Sequence, residues 1–287
     1  MFEASLMKLR VFRALVRETA LCQAPPSFDE MYTKVEPTST NTFVCRNNET
    51  NKLYFAKRPS EGSLELARCQ RIESPYVMKC YLQVGDLLLV ELLKGPDLLL
   101  ATAEGKEQSP DGTPWSHEEI MILSRDILLA ISDVHSCEIL HLDLKPENIV
   151  FVHEEGPTNV RHDQVNVKLC DFDASRDIRE KTPISRGTAR YLPPEVLEGH
   201  VPDAKTDVWS AGVVMFFLIT GELLICTDDD AEVLRMLRSA GFLESRLSNI
   251  ETPFKHILIR LLDEDPNRRP SAREALSMVQ SALEGSA

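Results

Sequence analysis

The sequence predicts an α+β fold of two lobes: a small, β-rich N-terminal lobe with one helix and a larger, mainly helical C-terminal lobe. Short apolar strand patterns separated by turn residues dominate the first third of the chain. Helical apolar periodicity alternates with Pro-rich loops over the remainder. The chain has 287 residues and is 43% hydrophobic, which is enough for a sizeable buried core.

The charge balance bears on which partners the protein binds. The formal net charge is -13, with 45 acidic and 32 basic residues. Nucleic-acid binding needs clustered Lys and Arg, so a nucleic-acid partner is not expected. The acidic excess favours a basic protein substrate. The seven cysteines form no C-x-x-C pair and are odd in number, which indicates reduced thiols in the cytoplasm or another intracellular compartment. No pattern specifies an oligomeric state.

Residues 1–26 are predicted to form an amphipathic helix followed by a linker at Pro25-Pro26. Apolar residues recur at helical spacing and alternate with Lys and Arg. A helix packed on the domain surface is one interpretation; a peripheral membrane anchor or a transit peptide is the other. No apolar run reaches the roughly 18 residues that a membrane span requires, so no transmembrane segment is expected.

The first third contains strands and one helix. Asn47 to Asn51 form a turn-like run, Ser74-Pro75 stops a helix, and Gly85-Asp86 predict a tight turn. The stretch before the turn, 28–44, is polar and Thr-rich and carries no strand prediction. The predicted elements are strand 52–58, helix 63–72 and strands 77–84 and 87–93.

The rest of the chain is predicted to be mainly helical. Ser116 and Glu119 form an S-x-x-E capping box that begins a long helix ending near His135. Residues 101–115 contain two glycines and two prolines and are predicted to form a loop. The other predicted elements are strand 148–152, a polar hairpin at 153–164, strand 165–170, and helices 206–220, 231–240, 253–262 and 271–283.

The stretch 140–150, LHLDLKPENIV, places an acid, a lysine and an asparagine at spacings that suit phosphoryl transfer. That reaction needs little covalent help, so catalysis depends on positioning a hydroxyl, a γ-phosphate and metal ions. Asp143, Lys145 and Asn148 supply these functions. Asp171, at the end of a predicted strand, adds a second carboxylate. Carboxylate and amide oxygens are the ligands that Mg²⁺ prefers.

Together, five motifs resemble those of the eukaryotic protein kinase family, serine/threonine type, over residues 28–283. They are HLDLKPEN at 141–148, DFD at 171–173, GTARYLPPE at 187–195, DVWSAG at 207–212 and DPNRRP at 265–270. The resemblance implies a bilobal kinase domain over 27–285, with an N-lobe at 27–93 and a C-lobe at 94–285. It also implies ATP, Mg²⁺ or alternatively Mn²⁺, and a protein substrate.

The resemblance assigns the catalytic roles. Asp143 would accept or orient the substrate hydroxyl proton, and Lys145 would stabilise the transferred phosphoryl group. Asn148 and Asp171 would hold the metal. Thr188, in GTARY, resembles the threonine that contacts the catalytic Asp and Lys in serine/threonine kinases.

The nucleotide site is assigned in the same way. Lys57 would hold the α- and β-phosphates, paired with Glu65 rather than Glu61, because Glu65 stands at the family's usual distance before Ser74-Pro75. The two glutamates are four residues apart and so share a helix face. The other implied nucleotide contacts are Val90 as a small gatekeeper, Glu91 and Leu93 as the hinge that binds adenine, Asp97 near the ribose and Cys170 in the pocket floor.

Three residues outside the nucleotide site receive structural roles from the resemblance. Asp207 would hold the backbone of the catalytic loop. Glu195 and Arg269 would form a buried ion pair that braces the helical lobe.

Three departures from the family pattern favour an alternative, a pseudokinase that acts as a scaffold or allosteric regulator for a protein partner. No glycine lies between Val35 and Lys57, so the loop over the phosphates is expected to hold ATP atypically. DFD replaces DFG, so Asp173 takes the glycine position and an inactive resting conformation is one expectation. Leu142 replaces the arginine before Asp143, so gating by activation-loop phosphorylation is not expected.

Overall fold

The computed structural model describes residues 27–38, 41–109, 113–153, 160–184 and 187–285. The predicted N-terminal helix and linker at 1–26 therefore lie outside the described residues. The α+β architecture of two lobes is confirmed, with a β-sheet in the first third of the chain and helices in the remainder. No helix among the described residues is long and apolar enough to cross a membrane.

The first lobe is built on an antiparallel sheet of five strands in the order β1-β2-β3-β5-β4. A short helix, α1 (Phe28–Met31), precedes it, and α2 (Glu65–Cys69) connects β3 to β4. The strands are β1 (Tyr32–Pro37), β2 (Thr42–Asn47), β3 (Leu53–Lys57), β4 (Cys80–Val84) and β5 (Leu87–Val90). The two tight turns predicted before β3 and between β4 and β5 are present.

Strands β1 and β2 were not predicted, because their sequence is polar and Thr-rich. Phe43 and Cys45 of β2 are buried in a small core on one face of the sheet. Tyr32 is the only buried residue of β1, which is an edge strand and tolerates polar residues on both faces. The strand conformation of β1 is therefore determined by hydrogen bonding to β2 and not by an apolar pattern of its own.

Helix α2 is shorter than the predicted 63–72. It begins at Glu65 and ends at Cys69, after a turn at Glu61 and Gly62. Glu61 therefore lies before the helix, and the prediction that Glu61 and Glu65 share a helix face is wrong. Gly62 has a φ of 73°, a left-handed conformation that suits glycine and delays the start of the helix.

The second lobe is mainly helical and surrounds two long buried helices. Helix α4 begins after Ser116, which forms the predicted capping box with Glu119. Helix α6 is buried along most of its length, as its uniformly apolar sequence predicts. The helices are α3 (Leu98–Gln108), α4 (His117–Ser136), α5 (Pro194–Leu197), α6 (Ala204–Thr220), α7 (Asp230–Leu237), α8 (Phe242–Arg246), α9 (Phe254–Leu261) and α10 (Ala272–Gly285).

The loop predicted at 101–115 is wrong, because helix α3 extends to residue 108. Asp97 caps this helix by accepting a hydrogen bond from Leu100 N at 2.9 Å. Leu98 and Ala101 are fully buried, so packing adds to the helix propensity of the Leu, Ala, Glu, Lys and Gln residues in this short helix. Gly105 suggested a loop, but a Cβ there would lie 2.7 Å from the Pro114 carbonyl oxygen. The glycine permits this close approach.

Two short two-stranded sheets position the loops that carry the candidate site. β6 (Ile139–Leu140) pairs with β9 (Arg176–Asp177), and β7 (Ile149–Phe151) pairs with β8 (Val167–Leu169). Residues 141–148 and 170–175 connect these strands and lie side by side. Half of the hairpin predicted at 153–164, residues 154–159, lies outside the described residues.

Candidate active site

The catalytic loop is held by a buried carboxylate. Asp207, on α6, accepts hydrogen bonds from His141 N at 2.9 Å and Leu142 N at 2.8 Å, as the resemblance implied. His135 Nε2 lies 2.9 Å from the same carboxylate. Burial disfavours the charged form, but these histidines and backbone donors outweigh it and lower the pKa of Asp207. Leu142 has a φ of 65°, so the loop turns sharply before Asp143.

Asp143, Lys145 and Thr188 form one polar cluster. Lys145 Nζ donates to Asp143 Oδ2 at 2.8 Å and to Thr188 Oγ1 at 3.0 Å. Thr188 Oγ1 donates to Asp143 Oδ1 at 2.9 Å. The side chains of Asp143 and Lys145 are 15% and 21% exposed, so the carboxylate is fixed yet open to a substrate hydroxyl.

Asn148 is oriented by the same loop. Its Nδ2 donates to the Asp143 carbonyl oxygen at 2.8 Å and to Asp143 Oδ2 at 3.1 Å. Cys170 N donates to the Asn148 carbonyl oxygen at 2.8 Å, which joins the catalytic loop to the DFD segment. Because the amide nitrogen of Asn148 donates to Asp143, the amide oxygen is the atom of this side chain that could bind a cation.

Lys57 contacts two carboxylates at once. Its Nζ lies 2.7 Å from Glu65 Oε1 and 2.7 Å from Asp171 Oδ1. Burial alone would lower the pKa of Lys57, but the two carboxylates raise it above its ordinary value. Lys57 is therefore charged at every physiological pH. The structure thus pairs Lys57 with Glu65, the glutamate favoured from the sequence.

The two carboxylates beside Lys57 differ in environment. Burial raises the pKa of Glu65, whose Oε2 has no hydrogen-bond partner among the described residues. Asp171 is 44% exposed at its side chain. Burial again opposes its charge, but contact with Lys57 lowers its pKa below the ordinary value. Asp171 is therefore ionised and accessible, as a metal ligand must be.

The DFD motif is in an assembled conformation. Phe172 is fully buried against the His141 ring, with centroids 4.8 Å apart, and its N–H donates to Glu65 Oε1 at 3.1 Å. Asp171 has a φ of 63°, which turns its carboxylate toward Lys57. The expectation of an inactive resting conformation is therefore not met in this structure.

The donor set suits a hard divalent cation. Asp171 offers a carboxylate just after β8 and Asn148 an amide oxygen just before β7, and these two strands pair with each other. Within the described part of the chain, no three His, Cys, Asp or Glu side chains are grouped to hold a metal on their own. Mg²⁺ typically binds one or two carboxylates together with substrate phosphates, so these residues fit a metal that arrives with a nucleotide.

The predicted hinge follows β5. Val90 is 1% exposed and faces the interior, while Leu93 is half-buried in the chain that leads to α3. The Glu91 carboxylate is bound to Lys168 Nζ at 2.6 Å and to Lys79 N at 3.1 Å. The side chain of Glu91 is therefore engaged, and its backbone N–H donates to the Lys79 carbonyl oxygen at 2.8 Å, which leaves the Glu91 carbonyl oxygen for a ligand. Lys168 was missed because no spacing in the sequence relates β8 to the hinge.

Asp97 and Cys170 occupy different surroundings. Asp97 is half-buried at the hinge side of α3 and uses one carboxylate oxygen, Oδ1, as the helix cap. Cys170 is 8% exposed, and burial raises the pKa of its thiol. A buried protonated thiol behaves as a small apolar residue, which matches the expected pocket floor.

The segment after DFD makes contacts that sequence reasoning missed. The Asp173 carboxylate accepts hydrogen bonds from Ser60 N at 3.2 Å and from Ser60 Oγ. Arg176 Nη1 donates to Thr182 Oγ1 at 3.0 Å and to the Pro183 carbonyl oxygen at 3.1 Å.

The ion pair expected in the helical lobe is present. Arg269 donates to both carboxylate oxygens of Glu195, at 2.6 and 2.7 Å. Its side chain is fully buried and lies over the Trp209 ring, 4.9 Å from the centroid. The pair fixes α5 to the loop before α10 and so supports the segment that carries Thr188.

The family model for the protein kinase domain matches residues 39–279. The chain belongs to the protein kinase family. It is similar to a human SNF-related serine/threonine-protein kinase, at 35% identity over 72% of this chain and 26% of that protein. It is also similar to rat myosin light chain kinase 2 from skeletal/cardiac muscle, at 31% identity over 67% of this chain and 30% of that protein.

A third relative is Protein lin-2 of Caenorhabditis elegans, at 24% identity over 87% of this chain and 26% of that protein. The kinase chain thus spans less than a third of the length of each of these relatives.

Proposed function

We propose that the chain is an ATP-dependent serine/threonine protein kinase that transfers the γ-phosphate of ATP to protein hydroxyl groups. One observation carries the proposal: six polar side chains that phosphoryl transfer requires form two directly bonded groups of three beside the adjacent loops 141–148 and 170–175. They are Lys57, Glu65, Asp143, Lys145, Asn148 and Asp171.

Asp143 is proposed to orient the substrate hydroxyl and accept its proton at a carboxylate oxygen. Lys145 and Thr188 each donate to a different oxygen of that carboxylate, so its plane is fixed before substrate arrives. Fixed donors and acceptors need no reorganisation during the reaction. The adjacent Lys145 ammonium would stabilise the charge of the transferred phosphoryl oxygens.

Lys57 is proposed to bind the α- and β-phosphates, held in place by Glu65. Asp171 and Asn148 would hold Mg²⁺, or Mn²⁺ in its place. Such a cation supplies neutralisation of the negative charge on the phosphate oxygens. Asp171 shares Lys57 with Glu65, so its negative charge is only partly neutralised. Asp171 can therefore exchange its contact with Lys57 for a contact with the cation.

The nucleoside is proposed to lie against β5 and the hinge. Backbone groups of Glu91 and Leu93 would bind adenine, beside Val90, with Cys170 on the floor of the pocket. Asp97 would reach the ribose with the carboxylate oxygen that does not cap α3. The engagement of the Glu91 side chain with Lys168 supports a purely backbone role there.

The domain is proposed to span residues 27–285, with an N-lobe at 27–93, a C-lobe at 94–285 and a peripheral segment at 1–26. The net charge of -13 supports a basic protein substrate. Leu142, buried where the family carries arginine, cannot pair with a phosphate. The kinase is therefore proposed to act without activation-loop phosphorylation.

The test is transfer of labelled γ-phosphate from ATP to myelin basic protein with Mg²⁺ and with Mn²⁺. The variants are Asp143→Asn and Asp171→Asn, and the matched control is Asp163→Asn, an exposed aspartate away from the site. We expect transfer by the unmodified chain and the control, with loss in both site variants. Folded protein that transfers nothing with either metal would contradict the proposal.

A pseudokinase scaffold is the second candidate, favoured by the absence of glycine between Val35 and Lys57. It would bind a protein partner, with or without nucleotide. The same assay separates the two, because a scaffold gives no transfer in any variant. Transfer that disappears in Asp143→Asn excludes a scaffold that only binds.

A further inference from the structure

The segment that begins with the DFD motif contacts the first lobe at six of its ten residues between 171 and 180. Residues 171–180 contact residues 57–71 through a series of side-chain and backbone bonds that we call the tether. The pairs are Asp171 with Lys57, Phe172 N with Glu65, Asp173 with Ser60, the Ser175 carbonyl and Glu180 with Arg68, and Asp177 with Arg71.

Asp173 makes the most unusual contact of the tether. It stands where the family pattern has glycine, and its carboxylate accepts from both the N–H and the hydroxyl of Ser60. Ser60 lies three residues after Lys57 and five before Glu65. Asp173 is not among the residues with positive φ, so the structure does not use the glycine freedom that this position lacks.

Arg68 contributes a largely buried guanidinium to the tether. It is 8% exposed and lies three residues after Glu65 on α2. Its Nη1 donates to the Ser175 carbonyl oxygen and its Nη2 to Glu180 Oε1 at 2.8 Å. Hydrogen bonds donated by a charged group are stronger than neutral ones, and Arg68 is largely buried although the Glu180 side chain is 41% exposed. The helix that carries Glu65 is thus fixed directly to the segment.

Arg71 completes the tether at the end of α2. Its guanidinium lies 2.5 Å from Asp177 Oδ1 and 2.7 Å from the Cys137 carbonyl oxygen. It therefore joins α2 to β9 and to the end of α4. Acidic side chains and carbonyl oxygens of the chain supply the acceptors in these contacts.

We propose that the tether holds α2, and with it Glu65, against the DFD segment without phosphorylation, and that Ser60, Asp173 and Arg68 are positioning residues for phosphoryl transfer. This inference rests on the proposed kinase function. In this role Asp173 does not weaken the metal motif. It replaces backbone freedom with a bond between the lobes.

The tether matters most when nucleotide binds. Lys57 must then turn toward phosphates and Asp171 toward a cation, so their direct contact is given up. The contacts of Asp173 and Arg68 involve neither of those groups and can persist. They would keep the Lys57–Glu65 pair in place through the exchange of partners.

Hydrogen–deuterium exchange of α2 amides tests the tether without any need for activity. The variants are Ser60→Ala, Asp173→Ala and the double variant, in the full chain. We expect Ser60→Ala, which removes the hydroxyl hydrogen bond, to speed exchange at residues 65–71 about ten-fold, and Asp173→Ala, which also removes the hydrogen bond from Ser60 N, to speed it by at least that factor. The double variant should be no faster than Asp173→Ala, because Asp173→Ala alone already removes both hydrogen bonds from Ser60. The proposal would be overturned if the two increases in exchange rate multiplied in the double variant, or if neither single variant changed the exchange rate.

Two further variants distinguish the loss of a tether contact from the general effect of removing an arginine. Arg68→Gln should also speed exchange in α2. Arg58→Gln is the matched control, since Arg58 pairs with Asp86 within the first lobe and does not contact 171–180. Exchange in α6 reports whether each variant is folded. Faster exchange in the control than in Arg68→Gln would contradict the tether.

Kinetics test the same claim on the proposed reaction. We expect phosphatase-treated protein, with its unphosphorylated mass confirmed, to retain its full kcat. Asp173→Ala should lower kcat about ten-fold and leave KM for the protein substrate unchanged, because the tether lies on the nucleotide side. A ten-fold fall in kcat after phosphatase treatment would overturn the proposal. If no variant transfers phosphate, the kinase function fails, while exchange still decides whether the tether exists.

Discussion

Lys57 Nζ and Asp171 Oδ1 lie 2.7 Å apart, so the strand lysine and the DFD carboxylate are in direct contact. Glu65 binds the same ammonium, which leaves Lys57 between two carboxylates. One lysine cannot neutralise both negative charges. The site therefore carries an excess negative charge that favours a divalent cation, and Lys57 is shared until nucleotide and cation arrive together.

This sharing predicts the effect of Asp171→Asn on nucleotide binding. Removal of the charge frees Lys57 for phosphates, so affinity for ATP without metal should stay equal or increase. The increase in affinity that Mg²⁺ produces in the unmodified chain should be lost. Calorimetric titration with ATP, with and without Mg²⁺, measures both values. Asp163→Asn is the control, and an undiminished Mg²⁺ effect in Asp171→Asn would contradict the metal assignment.

The turn between β1 and β2 predicts weak binding of ATP. It lacks glycine, and the hydroxyls of Thr38 and Thr42 lie 2.7 Å apart and bond to each other. Backbone amides without glycine approach phosphates less closely. We expect KM for ATP in the upper part of the common range of about 1 µM to 1 mM. Initial rates at varied ATP measure it, and a value near about 1 µM would show that the turn binds phosphate well.

The Glu195–Arg269 pair predicts a large loss of stability in Arg269→Met. The variant leaves Glu195 without its partner in a position where its side chain is 15% exposed. The expected cost is about 3–5 kcal/mol of unfolding free energy. Urea denaturation measures it.

The neighbouring Arg268 supplies the matched control for that experiment. It is 68% exposed and pairs with Asp263. Arg268→Met should cost at most about 1 kcal/mol, as exposed ion pairs do. Equal losses in the two variants would contradict the bracing role of the buried pair.

Asp207 predicts a pH effect on stability. Its pKa is lowered by His135, His141 and the backbone, so its contribution to folding is full above the unfolded pKa of about 3.9. It is lost as pH falls through the lower, folded value. Asp207→Asn should cost about 2–4 kcal/mol near neutral pH, because two buried N–H groups lose a charged acceptor.

The acid dependence provides the test of that assignment. Unfolding free energy should fall less steeply in Asp207→Asn than in the unmodified chain between about pH 5 and pH 3. Asp163→Asn, at an exposed position, should follow the unmodified chain. Parallel acid profiles of the Asp207 variant and the unmodified chain would show that this carboxylate does not titrate as the structure implies.

Short motifs allowed much of the fold and of the site to be predicted from sequence. The spacing in HLDLKPEN fixes Asp143, Lys145 and Asn148 within one loop, so their mutual contacts follow from local geometry. The capping box at Ser116 located the start of α4 for the same reason. Local chemistry determines such features, and they can be identified without tertiary information.

The failures share a different cause. Strand β1 has a single buried residue and is stabilised by its pairing with β2, so its own sequence gives little strand signal. Gly105 suggested a loop because its close contact with Pro114 is tertiary. The pairing of Ser60 with Asp173 joins positions 113 residues apart. Sequence spacing does not reveal contacts between residues so far apart in the chain. The sequence showed only that Asp173 stands where the family pattern has glycine.

The most direct test of the central claim is a single-turnover measurement. Enzyme in excess over labelled ATP, with Mg²⁺ and myelin basic protein, isolates the chemical step from product release. The six-residue arrangement predicts phosphate transfer in one exponential phase, slowed about 10²–10⁴-fold in Asp143→Asn. Absence of transfer by folded protein, or equal rates in the two proteins, would contradict it.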